Sequence, residues 1–141
     1  MNIFVFGNGN LSFTNFLKHY IEPIQSLQNL PAVHFMVCDF RGTDTLMLEF
    51  LKTLTPHVSV YHMGEKPRYM PDIFKTRVGE WQFVGGFQSD KERDVAAILK
   101  CTHFLGIDFN TDKKRKSGTS KNIDLCLEQG KINLLAITYP T

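Results

Sequence analysis

Cysteine is scarce in this sequence. Cys38, Cys101 and Cys126 each sit inside an apolar stretch, and an odd count without close spacing excludes a disulfide framework and a Cys-x-x-Cys metal site. Buried, reduced thiols are expected. Long apolar runs are missing too. No stretch approaches the ~20 residues that cross a bilayer, and the opening MNIFVFG reaches its glycine too soon for a secretory core. A soluble, cytoplasmic protein with no membrane contact is the expectation. Net charge is small: 16 Lys and Arg against 14 Asp and Glu leave +2, so bulk charge alone does not make the chain a polyanion binder. The 5 histidines show no His-x-x-x-His or His-Glu-x-x-His spacing, so no metal site is expected. No Gly-x-Ser-x-Gly elbow offers a serine nucleophile. Nothing calls for a cofactor, and internal repeats are absent.

What is present suits one core. The 141 residues are 43% hydrophobic and include 12 Phe, enough for a single domain over residues 1–141. Short β-rich runs at 2–6, 32–38, 58–61, 103–109 and 132–139 alternate with helical patterns. The first helix carries Phe13, Phe16, Leu17, Tyr20 and Ile24 at spacings of three and four. The second begins at Thr43 or Asp44 and carries Leu46, Met47, Phe50, Leu51 and Leu54. Ser89 and Glu92 form a capping box for a helix that buries Val95, Ile98 and Leu99. Asn122 to Glu128 reads as the last helix, with Ile123, Cys126 and Leu127 inward and Gly130 at a left-handed end.

This alternation predicts an α/β fold, a Rossmann-like, doubly wound, mainly parallel five-stranded sheet with helices on both faces. Residues 63–88 lose periodicity and read as an irregular insertion, a lid or an oligomer contact. Tyr69, Met70, Ile73, Phe74, Trp81 and Phe83 there are too apolar for a solvated loop, so a homodimer is expected.

Such a fold gathers its strand-to-helix turns at one edge of the sheet, where ligands bind. Gly7-Asn8-Gly9 starts like a dinucleotide fingerprint, but Ser12 stands in place of the third glycine. It is either a backbone approach to a ligand or a tight turn. Lys113-Lys114-Arg115-Lys116 runs into Ser117-Gly118-Thr119-Ser120 ahead of a helix, either a phosphate cradle with its hydroxyls and bare amides or a plain cap after a basic loop. Arg93 opens a helix and is free either to reach a phosphate or to stay solvated. Asp39 and Asp44 flank Arg41-Gly42, to hold ribose hydroxyls or to cap and salt-bridge, with capping favoured for Asp44. Of the histidines only His62 falls at this edge.

In this order the pieces resemble the SLOG group of Rossmann-like domains, which includes the Lonely Guy cytokinin phosphoribohydrolases and bacterial DNA-processing proteins, and which is similar in architecture to the nucleoside 2-deoxyribosyltransferases. The resemblance rests on Gly7 and Gly9, Arg41-Gly42-Thr43-Asp44, Val60-Tyr61 with Gly64 and Pro67-Arg68, Arg93-Asp94, and Ser117-Gly118-Thr119. It implies a pocket for a nucleotide or sugar phosphate, with Gly118 and Thr119 as the phosphate turn and Arg93 as the arginine ahead of strand four. Members that cleave an N-glycosidic bond follow the Gly-Thr with acidic residues, whereas this chain has Ser120, Lys121 and Asn122.

Binding or sensing of a phosphorylated nucleoside is therefore the first expectation. An N-glycosidase or ribosyltransferase, with Asp39, Asp44 or Asp94 as its carboxylate, is the second. Nucleic-acid binding through the basic loop, aided by Tyr69 or Trp81, is the third.

Overall fold

The computed structural model describes residues 1–138. Its fold is α/β and Rossmann-like, built on a parallel sheet of six strands rather than five, in the order β4-β3-β2-β1-β5-β6. The strands are β1 (Asn2–Gly7), β2 (His34–Cys38), β3 (Val58–Met63), β4 (Gln82–Phe87), β5 (His103–Ile107) and β6 (Ile132–Asn133). The additional strand is β4, which lies inside the segment read as irregular. It is an edge strand with five of its six residues exposed, so no buried face imposes a period on its sequence. The strand expected over 132–139 ends at Asn133, where α6 (Leu134–Thr138) begins; Tyr139 lies outside the described residues.

Alternation along β1 divides the core. Ile3 and Val5 face a cluster with Phe16, Tyr20, Met47 and Leu51, while Phe4 and Phe6 face Met36, Ile98, Phe104 and Cys126. The first face is covered by α1 (Phe13–Phe16), α2 (Glu22–Gln25), α3 (Thr43–Leu51) and α6, the second by α4 (Asp90–Lys100) and α5 (Gly118–Glu128). The three cysteines are free and buried.

Between α1 and α2 the helix widens into a π turn, Leu17–Ile21, with the Glu22 amide donating to Leu17 O five residues back. Pro23 follows directly. Its ring and missing amide do not fit a regular α turn, and the wider turn relieves the conflict. The same widening rotates the apolar face, so Phe16, Tyr20, Ile21 and Ile24 are buried while Phe13 and Leu17 are exposed. Leu54, Leu99 and Leu127, also expected inward, are exposed. Arg93 takes an inward position on α4 beside Ala97 and Ile98. Trp81 is buried, its indole N–H donating to Thr55 O at 2.9 Å, and Tyr69 is half-buried, whereas Met70, Ile73, Phe74 and Phe83 are exposed.

Chain order leaves β1 with β2 on one side and β5 on the other, so the strand order reverses between β1 and β5. The carboxyl ends of such a pair diverge and leave a crevice.

Candidate functional site

Three turns meet above that crevice, and Asn8 ties them together. Its backbone O accepts from the Thr43 amide at 3.2 Å and the Thr43 hydroxyl at 2.9 Å, fastening the turn after β1 to the start of α3. Its side chain donates to Asp108 Oδ1 at 3.0 Å and accepts the Phe109 amide at 2.7 Å, fastening the same turn to the loop after β5. The glycines permit this approach. A Cβ on Gly7 would lie 2.3 Å from the Tyr20 hydroxyl and 2.5 Å from Thr43 Oγ1.

Gly42, the residue capping α3, has φ +74° and ψ −117°, and a Cβ there would lie 2.5 Å from the Gly9 carbonyl carbon and 2.6 Å from Asn8 O. The cap expected of Thr43 or Asp44 therefore falls to a glycine, because only a residue without Cβ fits between the two turns. Gly42→Ala is expected to cost more than about 2 kcal/mol, strain and overlap combined, measured by thermal unfolding.

The turns enclose a cavity of about 500 Å³. Phe6 to Asn10 line it from β1, Cys38, Phe40, Arg41 and Asp44 from the β2 turn, Asp90, Arg93 and Asp94 from α4, and Asn110, Asp112, Arg115, Ser117 to Thr119 and Asn122 from the last loop and α5. The glycine turn and the Ser-Gly-Thr turn, far apart in sequence, thus share one cleft.

On the α5 wall, Ser117 caps the helix. Its Oγ accepts the Ser120 amide at 3.0 Å and donates to Asp108 Oδ1 at 2.9 Å, so its proton is already committed. Ser120 does not line the cavity. The Gly118 and Thr119 amides have no partner among the described residues. Thr119 is 6% exposed, and its hydroxyl, without a partner among the described residues, opens into the cavity. A Cβ on Gly118 would meet no atom within 4 Å, so the protein's own packing does not demand glycine there.

Arg93 is where sequence and structure part. Instead of standing free for a ligand it is 3% exposed and committed: Nη1 to Asp39 Oδ1 at 2.9 Å and Asp90 Oδ1 at 2.8 Å, Nη2 and Nε to Asp94 Oδ1 at 2.9 and 3.1 Å. Asp39 lies outside the cavity. It also accepts three bonds from Arg68, from the amide at 2.9 Å and the guanidinium at 3.2 and 3.1 Å. Burial opposes its ionisation, but the Arg68 and Arg93 cations outweigh that and hold its carboxyl below the usual range.

Asp44 is the opposite case. Burial pushes its carboxyl up to about 7, and Asp94 and Asp39 add to the effect; the Arg93 charge and the Phe40 amide, which donates to Oδ2 at 3.0 Å, only partly offset it. Oδ1 makes no hydrogen bond among the described residues and opens toward the cavity. Asp94 Oδ2 accepts from Asn122 Nδ2 at 3.0 Å, and Cys38 Sγ donates to Asp94 Oδ1 at 3.5 Å. Arg41 is exposed at the rim, its guanidinium 5.3 Å from the Phe40 ring centre.

No protein-family model, curated protein or solved structure matches the chain.

The cavity therefore combines two chemistries. Its floor offers carboxyl groups and amides suited to hydroxyls and ring nitrogens, and its α5 wall offers open donors suited to an anion. His62 takes no part: it is buried against Gly85, where a Cβ would lie 2.1 Å from its ring. Phe40, Asp90, Asn110 and Asp112 were not candidates from sequence. Asn110 and Asp112 enter because Asn8 fastens their loop through Asp108 and Phe109, distant in the chain, and such bonds leave no local pattern.

Proposed function

We propose that the protein binds or senses a phosphorylated nucleoside or nucleotide-derived ligand in this cavity, at the carboxyl edge of the sheet. The observation that carries the reading is the α5 wall: two unpartnered amides, the open, unpartnered hydroxyl of the otherwise buried Thr119 and a glycine that the protein's packing does not require, facing a cleft at the reversal of strand order. The phosphate sits on Gly118 and Thr119, helped by the positive end of α5. The ribose and base lie toward Asp44, Asp94 and Asn122. Arg93 acts through the carboxylates it orients rather than on the ligand. The likeness of the Gly-Thr turn to that of the SLOG domains supports the same assignment.

Asp44 supports a second reading. A carboxyl that keeps its proton to about 7 and opens into the cavity is an acid suited to protonating a departing base. Asp94, held by Arg93 and Asn122, would stabilise the oxocarbenium charge, and water would add to the anomeric carbon, its released proton returning the Asp44 carboxylate to the acid. Asp39, which lies outside the cavity with both oxygens held by Arg68 and Arg93, has no such part. In the nucleic-acid reading the basic loop loses Trp81, which is buried.

A panel of nucleoside mono-, di- and triphosphates in a thermal-shift assay tests the binding reading. A ligand at about 100 times its Kd adds about 2.7 kcal/mol to apparent stability. Thr119→Val, near-isosteric but lacking the hydroxyl, is expected to weaken binding about tenfold. Absence of any shift across the panel would defeat the proposal. Chromatography of the same mixtures for free base separates the two readings.

A further inference from the structure

Four aspartates feel the charge of Arg93, and one of them stands apart. Asp39, Asp90 and Asp94 touch its guanidinium, whereas Asp44 makes no ion pair among the described residues. Asp44 is 5% exposed and lines the cavity. A carboxyl taken out of water without a cation in contact tends to keep its proton. Oδ2 accepts the Phe40 amide at 3.0 Å, which leaves the proton to Oδ1, the oxygen that has no partner among the described residues and opens toward the cavity. Beside it the acceptors are already taken: Asp94 Oδ1 receives Arg93 and Cys38, and Oδ2 receives Asn122. What the floor lacks is an acceptor for the Asp44 proton.

Building on the nucleotide reading of this cavity, we infer that the base is recognised through a hydrogen-bond acceptor, a ring nitrogen or an exocyclic carbonyl, seated on the Asp44 Oδ1–H, so that the ligand is held while Asp44 is protonated and released as the pH rises. No bond of the ligand breaks, and the proton stays on Asp44.

The groups that face Asp44 leave this switch to it. From α4, Arg93 is a cation throughout, and Asp90 and Asp94 are paired to it. From the β2 turn, Asp39 is held ionised, against its burial, by Arg68 and Arg93, Arg41 is a cation at the rim, and burial keeps the Cys38 thiol protonated. Burial does the same for the Tyr20 phenol on the π turn. Burial holds the Asp44 carboxyl itself up to about 7. A ligand that contacts the protonated form raises that value further, so binding takes up a proton and weakens at higher pH.

Calorimetric titration of the adenine, guanine, cytosine and uracil ribonucleotides, mono- to triphosphate, with wild type and Asp44→Asn at about pH 6 and about pH 8 tests this. Asparagine accepts the Phe40 amide through its carbonyl and offers its NH2 where Asp44 offers Oδ1–H, a donor at every pH. At about pH 6 the variant is expected to bind within about threefold of wild type. By about pH 8 the Kd of wild type relative to that of the variant is expected to have risen about tenfold, a ratio in which titration of the ligand's phosphate cancels. The same rise is expected for mono- and triphosphates. A rise that grows with phosphate number would show charge repulsion instead of contact with the base and overturn the inference. A ratio that is flat or falls with pH would mean that Asp44 is not in contact or acts as a carboxylate toward ribose hydroxyls. It would overturn the inference and leave the nucleotide reading intact, as would a loss of more than about tenfold in Asp44→Asn at about pH 6. No binding by any nucleotide would overturn both readings.

Discussion

Replacing Arg93 with methionine is expected to lower folding stability by about 3–5 kcal/mol, the cost of removing one partner of a buried ion pair and leaving the other behind. The Arg93 side chain is 4% exposed and that of Asp39 0%. One guanidinium touches Asp39, Asp90 and Asp94, and its charge also acts on Asp44. Without it Asp39 retains Arg68, but Asp94 is left with the Asn122 amide and the Cys38 thiol. Urea unfolding at about pH 7.5, followed by circular dichroism, measures the loss, and the deficit is expected to shrink in acid as the orphaned carboxyls take up protons. Arg93→Lys is expected to restore little, since an ammonium cannot reproduce a planar fork shared among three carboxylates. A loss below about 1 kcal/mol for Arg93→Met would show that the cluster does not depend on this cation.

Parts of the fold were legible because local chemistry was strong. Ser89 caps α4 as expected, with the Glu92 amide on its Oγ at 3.1 Å, while Glu92 Oε2 reaches one residue further back and accepts the Gln88 amide at 3.0 Å, and Gly130 has φ +72° after α5. The near-continuous apolar runs of β1 and β2 correctly announced a sheet covered on both faces. Two features were hidden for definite reasons. β4 is exposed along nearly all its length and has two adjacent glycines, so it resembles a loop. The last strand pairs through His103 with Ile132 and Phe104 with Asn133 alone, and the chain beyond it continues as a helix that buries Leu134 and leaves Ile137 exposed.

The site was legible at its turns and not at its floor. Glycines and the Ser-Gly-Thr cap announce themselves through backbone requirements that sequence carries directly. The partners of Arg93 do not. Asp39 is 54 residues away and Arg68 reaches the same carboxylate from a segment without periodicity, so nothing near Arg93 reveals that its charge is already spent. Burial matters as much. Asp44 sits two residues from Gly42 in a stretch that reads as an ordinary helix start, and only the folded chain removes it from water.

That removal from water makes Asp44→Asn the other large effect. The carboxyl is 5% exposed and held up to about 7, whereas an unfolded chain releases the proton near ~3.9. Between those values the folded protein binds more protons than the unfolded one, so this group's contribution falls as pH rises through the window, a loss approaching about 4 kcal/mol by about pH 8. Asparagine never ionises, and its carbonyl can accept the Phe40 amide that Asp44 now accepts at 3.0 Å. Asp44→Asn is therefore expected to match wild type below about pH 4 and to exceed it by about 2–4 kcal/mol above about pH 8, read from urea unfolding across pH. Asp39 works in the other direction, its stabilisation present above the unfolded value and lost as pH falls through its lowered folded value, but this is common to both proteins and cancels in the difference. Of the remaining charged neighbours, Arg93 favours ionisation of Asp44 and Asp94 opposes it, and both are already contained in the raised value. An advantage that fails to grow between about pH 5 and pH 8 would mean that Asp44 is ionised at neutrality, and the proton donor required for base departure would then be missing from the cavity.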